Sequence, residues 1–291
     1  MAPDTAPNWD AELQVYEPHR AGLPAMRPYF RDLRQRLPFA AQFSKSGIKA
    51  AHTETVFGQL WLALNPLLLA LVYFVLVNIL GGGGGMERLA HIAGGIFVFF
   101  FFSGSVASGA GSVTGGGRLI LNMAFPRLLM PLAAVRTAFF RFLPTLPIFL
   151  IINALAGPPW SFKMLLSLVF VLLLVVFSFG LAALMAAIQV YFRDTTSFLP
   201  YFLRIWLYVS PVLWFPEEPQ ERLVNAGLGW LHEAMIFNPL YSLIGGWSDL
   251  ALRSQVPELK IWIAAVLWAA VALVGGSLFF MSRERDFAVR I

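Results

Sequence analysis

The sequence contains no cysteine and unusually few charged residues. With 291 residues and no cysteine, the chain cannot form a disulfide, use a thiolate nucleophile or bind a metal through sulfur. Charged residues make up 13% of it, about half of the roughly 25% typical of globular proteins. Hydrophobic residues make up 58%. This balance excludes an ordinary water-facing surface and indicates a chain dissolved in a lipid bilayer.

Several motifs of catalysis and nucleotide binding are also missing. The chain lacks the Gly-x-x-x-x-Gly-Lys-Ser/Thr loop that cradles nucleotide phosphates, and the run Gly81–Gly85 therefore predicts only a flexible turn. No pair of carboxylates lies within the apolar runs, which argues against a proton relay or an intramembrane enzyme. A metal site is not expected, because the four histidines are scattered along the chain: His19, His52, His91 and His232.

Long apolar runs dominate what is present. A transmembrane helix needs about 20 mostly apolar residues, and residues 164–192 contain no charged side chain. The pattern predicts an all-α membrane protein whose permease domain occupies residues 57–291. Six transmembrane helices are predicted, at residues 59–80, 91–113, 128–155, 164–190, 196–215 and 259–281.

The basic residues predict the orientation of these helices. Thirteen of the 21 lysines and arginines lie in the two terminal segments and in the second-to-third and fourth-to-fifth connections, whereas five lie in the other connections. Positively charged connections stay in the cytoplasm, so both termini are predicted to be cytoplasmic. We therefore attribute the net charge of +5 to this placement of basic residues and to contact with anionic lipid. No nucleic-acid partner is expected.

Two segments outside the spans show their own patterns. Residues 1–27 predict a flexible cytoplasmic arm, and residues 28–56 predict an amphipathic helix lying in the membrane interface and broken near Pro38. A cytoplasmic arm packed on a soluble partner is the alternative. Residues 216–252 are too polar to span and too apolar for an ordinary loop. They predict two short re-entrant helices, the second from about Leu240 to Leu252, lining a path on the outer side.

Arginines and aromatic residues inside the apolar runs are the candidate substrate contacts. An arginine at the bilayer centre costs at least ~2.5 kcal/mol, so each should face a cavity, a partner or the interface. We interpret them as contacts for a phosphate-bearing headgroup; structural pairing or snorkelling is the alternative. Aromatic side chains deep in the fifth run predict a channel lining. These candidates are Arg136, Arg141, Arg204, Tyr201, Trp206 and Tyr208.

Four short segments together resemble a known family. They are "FGQLWLALNPLL" at 57–68, "NMAFPRLLMPL" at 122–132, "YFRD" at 191–194 followed by "SPV" at 210–212, and "FNPLYSLI" at 237–244. As a set, over about residues 40–290, they resemble type-2 ATP-binding-cassette permeases that export O-antigen, teichoic acid and related lipid-linked polysaccharides. The second segment departs from the family pattern, because Met123 or Ala124 stands where a lysine is common.

The resemblance implies a particular assembly. Such permeases are homodimers in the bacterial cytoplasmic membrane, and each dimer pairs with two ATP-hydrolysing nucleotide-binding subunits. The resemblance therefore implies a transport subunit rather than an enzyme. ATP and magnesium would bind to the partner, and no cofactor or metal would bind to this chain.

The resemblance also implies roles for individual residues. A coupling segment at about 114–127 and the hinge at Arg193 and Asp194 would contact the ATPase, with Asp194 holding Arg193 or capping the next helix. The coupling residues implied in full are Arg118, Asn122, Phe125, Pro126, Arg127, Arg193 and Asp194. The periplasmic gate would include Trp230, Asn238 and Pro239.

The cargo implied by the resemblance is a glycan linked to polyprenyl diphosphate. Within the family, the arginine-rich composition and the proline-containing N-terminal arm resemble actinobacterial members, the mycobacterial galactan exporters in particular. An exporter of drugs or small lipids is one alternative. An intramembrane glycosyltransferase or hydrolase is a second, and it would need convergent acidic residues facing one cavity.

Overall fold

The computed structural model describes residues 22–50, 58–81, 84–117, 123, 125–157, 161–216, 218 and 225–290. Every regular element in these ranges is a helix, which confirms the predicted all-α class. In chain order the helices are α1 Met26–Gln35, α2 Leu37–Ala50, α3 Trp61–Gly81, α4 Gly85–Ala110, α5 Ser112–Gly115, α6 Leu129–Phe142, α7 Thr145–Ala156, α8 Lys163–Tyr191, α9 Thr195–Val209, α10 Gly229–Ala234, α11 Pro239–Leu252, α12 Leu259–Arg283 and α13 Phe287–Arg290. Single 3-10 turns occupy Gly58–Leu60, Met235–Phe237 and Glu284–Asp286.

Four of these helices, α3, α4, α8 and α12, are long and apolar enough to cross a membrane. A fifth crossing results if α6 and α7, which meet at a bend of 40°, form one broken span. Pro144 lies at this bend, and a proline ring there prevents a continuous helix. The predicted span at 128–155 is therefore broken near its middle.

The predicted span at 196–215 is shorter in the structure. Helix α9 has 15 residues, about 22 Å at 1.5 Å per residue, whereas the hydrocarbon core is about 30 Å thick. It ends because Ser210 is extended, as expected for a residue that precedes a proline. Six spans therefore remain a prediction.

The centre of the bundle is built around α8, which α4 and α12 each approach through small residues. A Cβ atom added to Gly276 of α12 would collide with the Gly180 carbonyl of α8, and one added to Gly109 of α4 would collide with Ala182. Small residues at such contacts let helix backbones pack closely in a membrane, where van der Waals contact replaces the hydrophobic effect.

Helix α11 occupies the place of the second predicted short helix and lies inside the bundle. Eleven of its 14 residues are buried, among them Trp247, which packs on Phe149 of α7. Its first turn is well capped: Pro239 is at the start, and the Asn238 side chain accepts a hydrogen bond from the Leu240 amide. The burial meets the requirement that non-spanning backbone at membrane depth be surrounded by protein.

The amphipathic segment forms two helices. The break lies at Arg36, so Pro38 is in the first turn of α2, where a proline is tolerated. The apolar residues of this segment have different surroundings: Tyr29 and Leu33 pack on the bundle, whereas Phe30 and Leu37 stay exposed. Helix α2 packs against α6. The predicted arm at 1–27 lies outside the described residues up to position 21.

Candidate functional site

Helix α9 presents one buried and one exposed face. Thr195, Leu199, Leu203 and Leu207 are buried at four-residue spacing. Three predicted substrate contacts lie on the opposite side: Tyr201 is 67% exposed, Tyr208 is 48% exposed, and Arg204 is exposed between them. Residues three and four apart are neighbours on a helix surface, so the structure brings these three side chains together. We call them the α9 face.

Trp206, predicted with them, does not lie on the α9 face. It is half-buried, and its ring packs edge-on against Phe102 at 5.3 Å between centroids. Its indole N–H donates a hydrogen bond of 2.8 Å to Asn238 Oδ1. Asn238 Nδ2 in turn donates to the Val209 carbonyl at 3.2 Å. Trp206 therefore joins α9 to the cap of α11, because a buried indole N–H requires an acceptor.

A further aromatic residue next to the α9 face was not foreseen. The hydroxyl of Tyr73, in α3, lies 2.9 Å from the hydroxyl of Tyr208. Tyr73 lies in the mostly apolar sequence of α3, and its hydroxyl is the only feature of the residue that could have indicated a polar contact. The pair connects the first spanning helix to α9.

The two arginines of α6 have different surroundings. Arg136 donates to the Ala41 carbonyl of α2 at 2.7 Å, and its guanidinium lies 4.9 Å from the Phe140 ring centroid. These contacts fit the structural alternative considered for it. Arg141 is exposed and lines a cavity between α3, α4 and α6. Neither arginine belongs to the α9 face.

A buried carboxylate joins three segments at the predicted cytoplasmic end. Glu284 is 9% exposed and accepts a hydrogen bond of 2.6 Å from the Tyr29 hydroxyl. It also accepts from the Arg127 amide, while the Arg127 guanidinium donates to the Glu284 carbonyl. We call Tyr29, Arg127 and Glu284 the Glu284 junction. Burial and the neighbouring carboxylate raise the pKa of Tyr29, and burial lowers the pKa of Arg127 while Glu284 opposes that shift.

The predicted coupling residues are grouped only in part. Phe125 packs on Phe39 of α2 at 5.7 Å between ring centroids, and Pro126 directly precedes Arg127. Arg118 and Asn122 lie outside the described residues.

The hinge between α8 and α9 is exposed at Arg193 and Asp194. Asp194 stands at the N-cap position, but its side chain makes no capping hydrogen bond, so the capping prediction is wrong. The Thr195 and Thr196 hydroxyls instead donate to the carbonyls of Phe192 and Arg193. These bonds satisfy carbonyls rather than the free amides of the first turn.

A histidine holds the segment that follows α9. His91 Nε2 lies 3.0 Å from the Trp214 carbonyl, and its Nδ1 lies 3.0 Å from the Ser248 hydroxyl. Because a carbonyl only accepts, Nε2 donates, and the neutral ring accepts from Ser248 at Nδ1. Phe215 follows Trp214 in the sequence. The guanidinium carbons of Arg88 and Arg253 lie 5.4 Å and 4.6 Å from the centroid of its ring.

Of the predicted gate residues, Asn238 and Pro239 begin α11, and Trp230 is exposed on α10. Among the described residues, no group of three His, Cys, Asp or Glu side chains could hold a metal ion.

The chain is similar in sequence to known export permeases. No protein-family model matches it. It is 26% identical over 261 residues to the O-antigen export system permease protein RfbA of Myxococcus xanthus, which covers 90% of this chain and 98% of the relative. Two proteins of the same name from Klebsiella pneumoniae are each 24% identical over 233 residues, which is 80% of this chain and 87% of each relative. The motif-based resemblance is thereby confirmed at the level of sequence: this chain is similar to permeases of O-antigen export systems.

Proposed function

We propose that this chain is the transmembrane subunit of an ATP-driven exporter that moves a polyprenyl-diphosphate-linked polysaccharide, of the galactan or O-antigen kind, across the bacterial cytoplasmic membrane. The observation that carries the proposal is the α9 face. An arginine and two tyrosines are exposed on a helix embedded in an otherwise apolar chain. A charged group cannot face lipid tails without cost, so this face meets a partner or a cargo.

The chemistry of the α9 face suits such a cargo. A guanidinium forms strong charge-assisted hydrogen bonds with phosphate oxygens. Tyrosine rings offer an apolar surface and a hydroxyl to a sugar. A second protomer related by two-fold symmetry would place the same face opposite and enclose a path between them. Trp206 and Asn238 hold α9 in position, rather than contacting the cargo.

The energy would come from a separate ATPase, because this chain has no nucleotide loop. Two segments are candidates for docking: residues 125–127, which are half-buried with Pro126 buried, and the exposed hinge at Arg193 and Asp194. With both termini cytoplasmic, as the basic residues predict, these segments face the ATPase. The Glu284 junction connects the first of them to α1 and to the end of α12, so a movement there is passed to the bundle.

The test is reconstitution of the chain with a co-expressed nucleotide-binding ATPase. Vesicles containing both are loaded with a lipid-linked galactan, and the glycan that becomes accessible on the opposite side is measured. We expect transport to require ATP and both subunits, and a hydrolysis-deficient ATPase to abolish it. Strong ATP turnover by the chain alone would overturn the proposal. Transport of a drug or short lipid in place of the glycan would support the alternative exporter.

The Arg204→Ala variant tests the α9 face in the same vesicles. Loss of a charge-assisted hydrogen bond is worth about 1.5–3 kcal/mol, so glycan export should fall about tenfold or more. Ile205→Ala, a neighbouring exposed apolar position, is the matched control and should change export little. Loss of subunit assembly in Arg204→Ala would instead assign this arginine a structural role.

A further inference from the structure

A polar cavity lies away from the α9 face. It has a volume of about 260 Å³ and is enclosed by the first turns of α3, the last turns of α4 and the second half of α6. None of its lining residues belongs to α9 or α11. Five of its 14 lining residues are aromatic, and the polar groups come from Asn65, Ser108, Thr137, Arg141 and Thr145. Among the described residues, no aspartate or glutamate lines the cavity.

Arg141 is the charged group of this cavity. Within the described part of the chain, it has no ion pair or hydrogen bond to another side chain. Helical side chains point toward the N-terminus of their helix, so Arg141 reaches back along α6 toward the level of Thr137. An uncompensated guanidinium at membrane depth requires either water or an anion.

The surroundings connect one side of the cavity to the level of lipid headgroups. Trp61 begins α3 and Ser108 lies near the end of α4, so this side faces the end of the bundle where α6 starts, whereas Arg141 and Thr145 lie deeper. The Thr137 hydroxyl donates to Ser44 of α2 at 2.9 Å. Helix α2 is part of the predicted interface segment, which marks the level of the bilayer surface. On the cytoplasmic side this surface is rich in anionic lipid.

We propose that this cavity binds the phosphate headgroup of an anionic phospholipid, with Arg141 as its counter-ion and the aromatic walls holding the start of an acyl chain. Basic pockets between transmembrane helices on the cytoplasmic side recognise such headgroups. The volume is below the roughly 300–1,000 Å³ of sites for drug-sized ligands, which favours a headgroup over a lipid-linked glycan. This site goes beyond the proposed function, and its test needs neither ATPase nor cargo.

The experiment is native mass spectrometry of the purified chain with phosphatidylglycerol or phosphatidylcholine. We expect one phosphatidylglycerol to remain bound per chain under conditions that remove phosphatidylcholine. Arg141→Gln should weaken this retention about tenfold, and Arg141→Lys should keep most of it. Lys45→Gln, which removes a basic charge from α2 outside the cavity, is the charge control and should leave retention unchanged.

A second pair of variants tests the cavity by shape. Gly104 lines it, and a Cβ atom added there meets nothing within 4 Å. Gly104→Leu should therefore fill the cavity and lower phosphatidylglycerol retention without disturbing the backbone. Gly275→Leu, at an equally open position on α12 outside the cavity, should retain the lipid.

Three results would overturn the proposal. Equal retention of both lipids would remove the selectivity for an anion. Undiminished retention in Arg141→Gln and Gly104→Leu would place any bound lipid elsewhere. Displacement of the lipid by millimolar inorganic phosphate would show that free phosphate, rather than a lipid, is the natural occupant.

Discussion

At the scale of single residues, contacts between residues close in sequence could be predicted, whereas contacts between residues far apart in sequence could not. The grouping of Tyr201, Arg204 and Tyr208 could be predicted, because three- and four-residue spacing fixes a shared helix face. The partners of Glu284 and Trp206 could not. Tyr29 is 255 positions from Glu284, and Asn238 is 32 positions from Trp206. Periodicity gives the face of a side chain but not the element packed against it.

The Glu284 junction leads to a prediction about stability. Glu284→Ala removes a buried acceptor and leaves the half-buried Arg127 and Tyr29 without it, a loss of about 1–3 kcal/mol or more where charge is involved. Tyr29→Phe removes one hydrogen bond and should cost less, about 0.5–1.5 kcal/mol. The measurement is thermal unfolding in detergent, in which Glu284→Ala should have the lower midpoint. A midpoint equal to that of the unsubstituted chain would mean that the junction contributes nothing to stability.

At the scale of elements, hydropathy located the apolar helices but not their ends. The run at 196–215 looks continuous on a hydropathy window, yet α9 ends before Pro211 because the preceding residue cannot stay helical. Proline likewise divides the run at 128–155 into α6 and α7. The burial of α11 was beyond prediction, since its apolar composition suits a re-entrant helix and a core helix equally.

The contact between α8 and α12 gives a matched pair of glycine variants. Gly276→Ala places a Cβ atom against the Gly180 backbone, and overpacking of this kind typically costs about 1–3 kcal/mol. Gly275→Ala places its Cβ in open space, so the better helix propensity of alanine should leave stability unchanged or raise it slightly. Thermal midpoints of the two variants should separate in this order. Equal midpoints would indicate that α12 can shift without cost.

At the scale of the whole molecule, large apolar side chains stay exposed on α3, α8 and α12, as a bilayer requires. The α9 face is the exception because it combines exposure with polarity. Overall class and the likeness to export permeases were predictable from composition and short motifs. The arrangement of two protomers was not, because a single chain carries no direct record of its partner.

The proposed dimer can be tested on the natural cysteine-free background. Tyr201→Cys places a thiol on the α9 face, whereas Leu172→Cys places one on a similarly exposed position of α8, 62% exposed. A short bis-maleimide should cross-link the first variant into dimers in membranes and leave the second monomeric. Cross-linking at position 172 alone would place the interface on α8 instead.

In the proposed exporter, the hinge between α8 and α9 faces the cytoplasm, where a soluble ATPase can reach it. Arg193→Cys and Glu87→Cys each introduce a single thiol at an exposed position, and both are treated with a membrane-impermeant maleimide without the ATPase present. The predicted result is labelling of position 87 in intact spheroplasts and of position 193 only in inverted vesicles. Labelling of position 193 in intact spheroplasts would contradict the account.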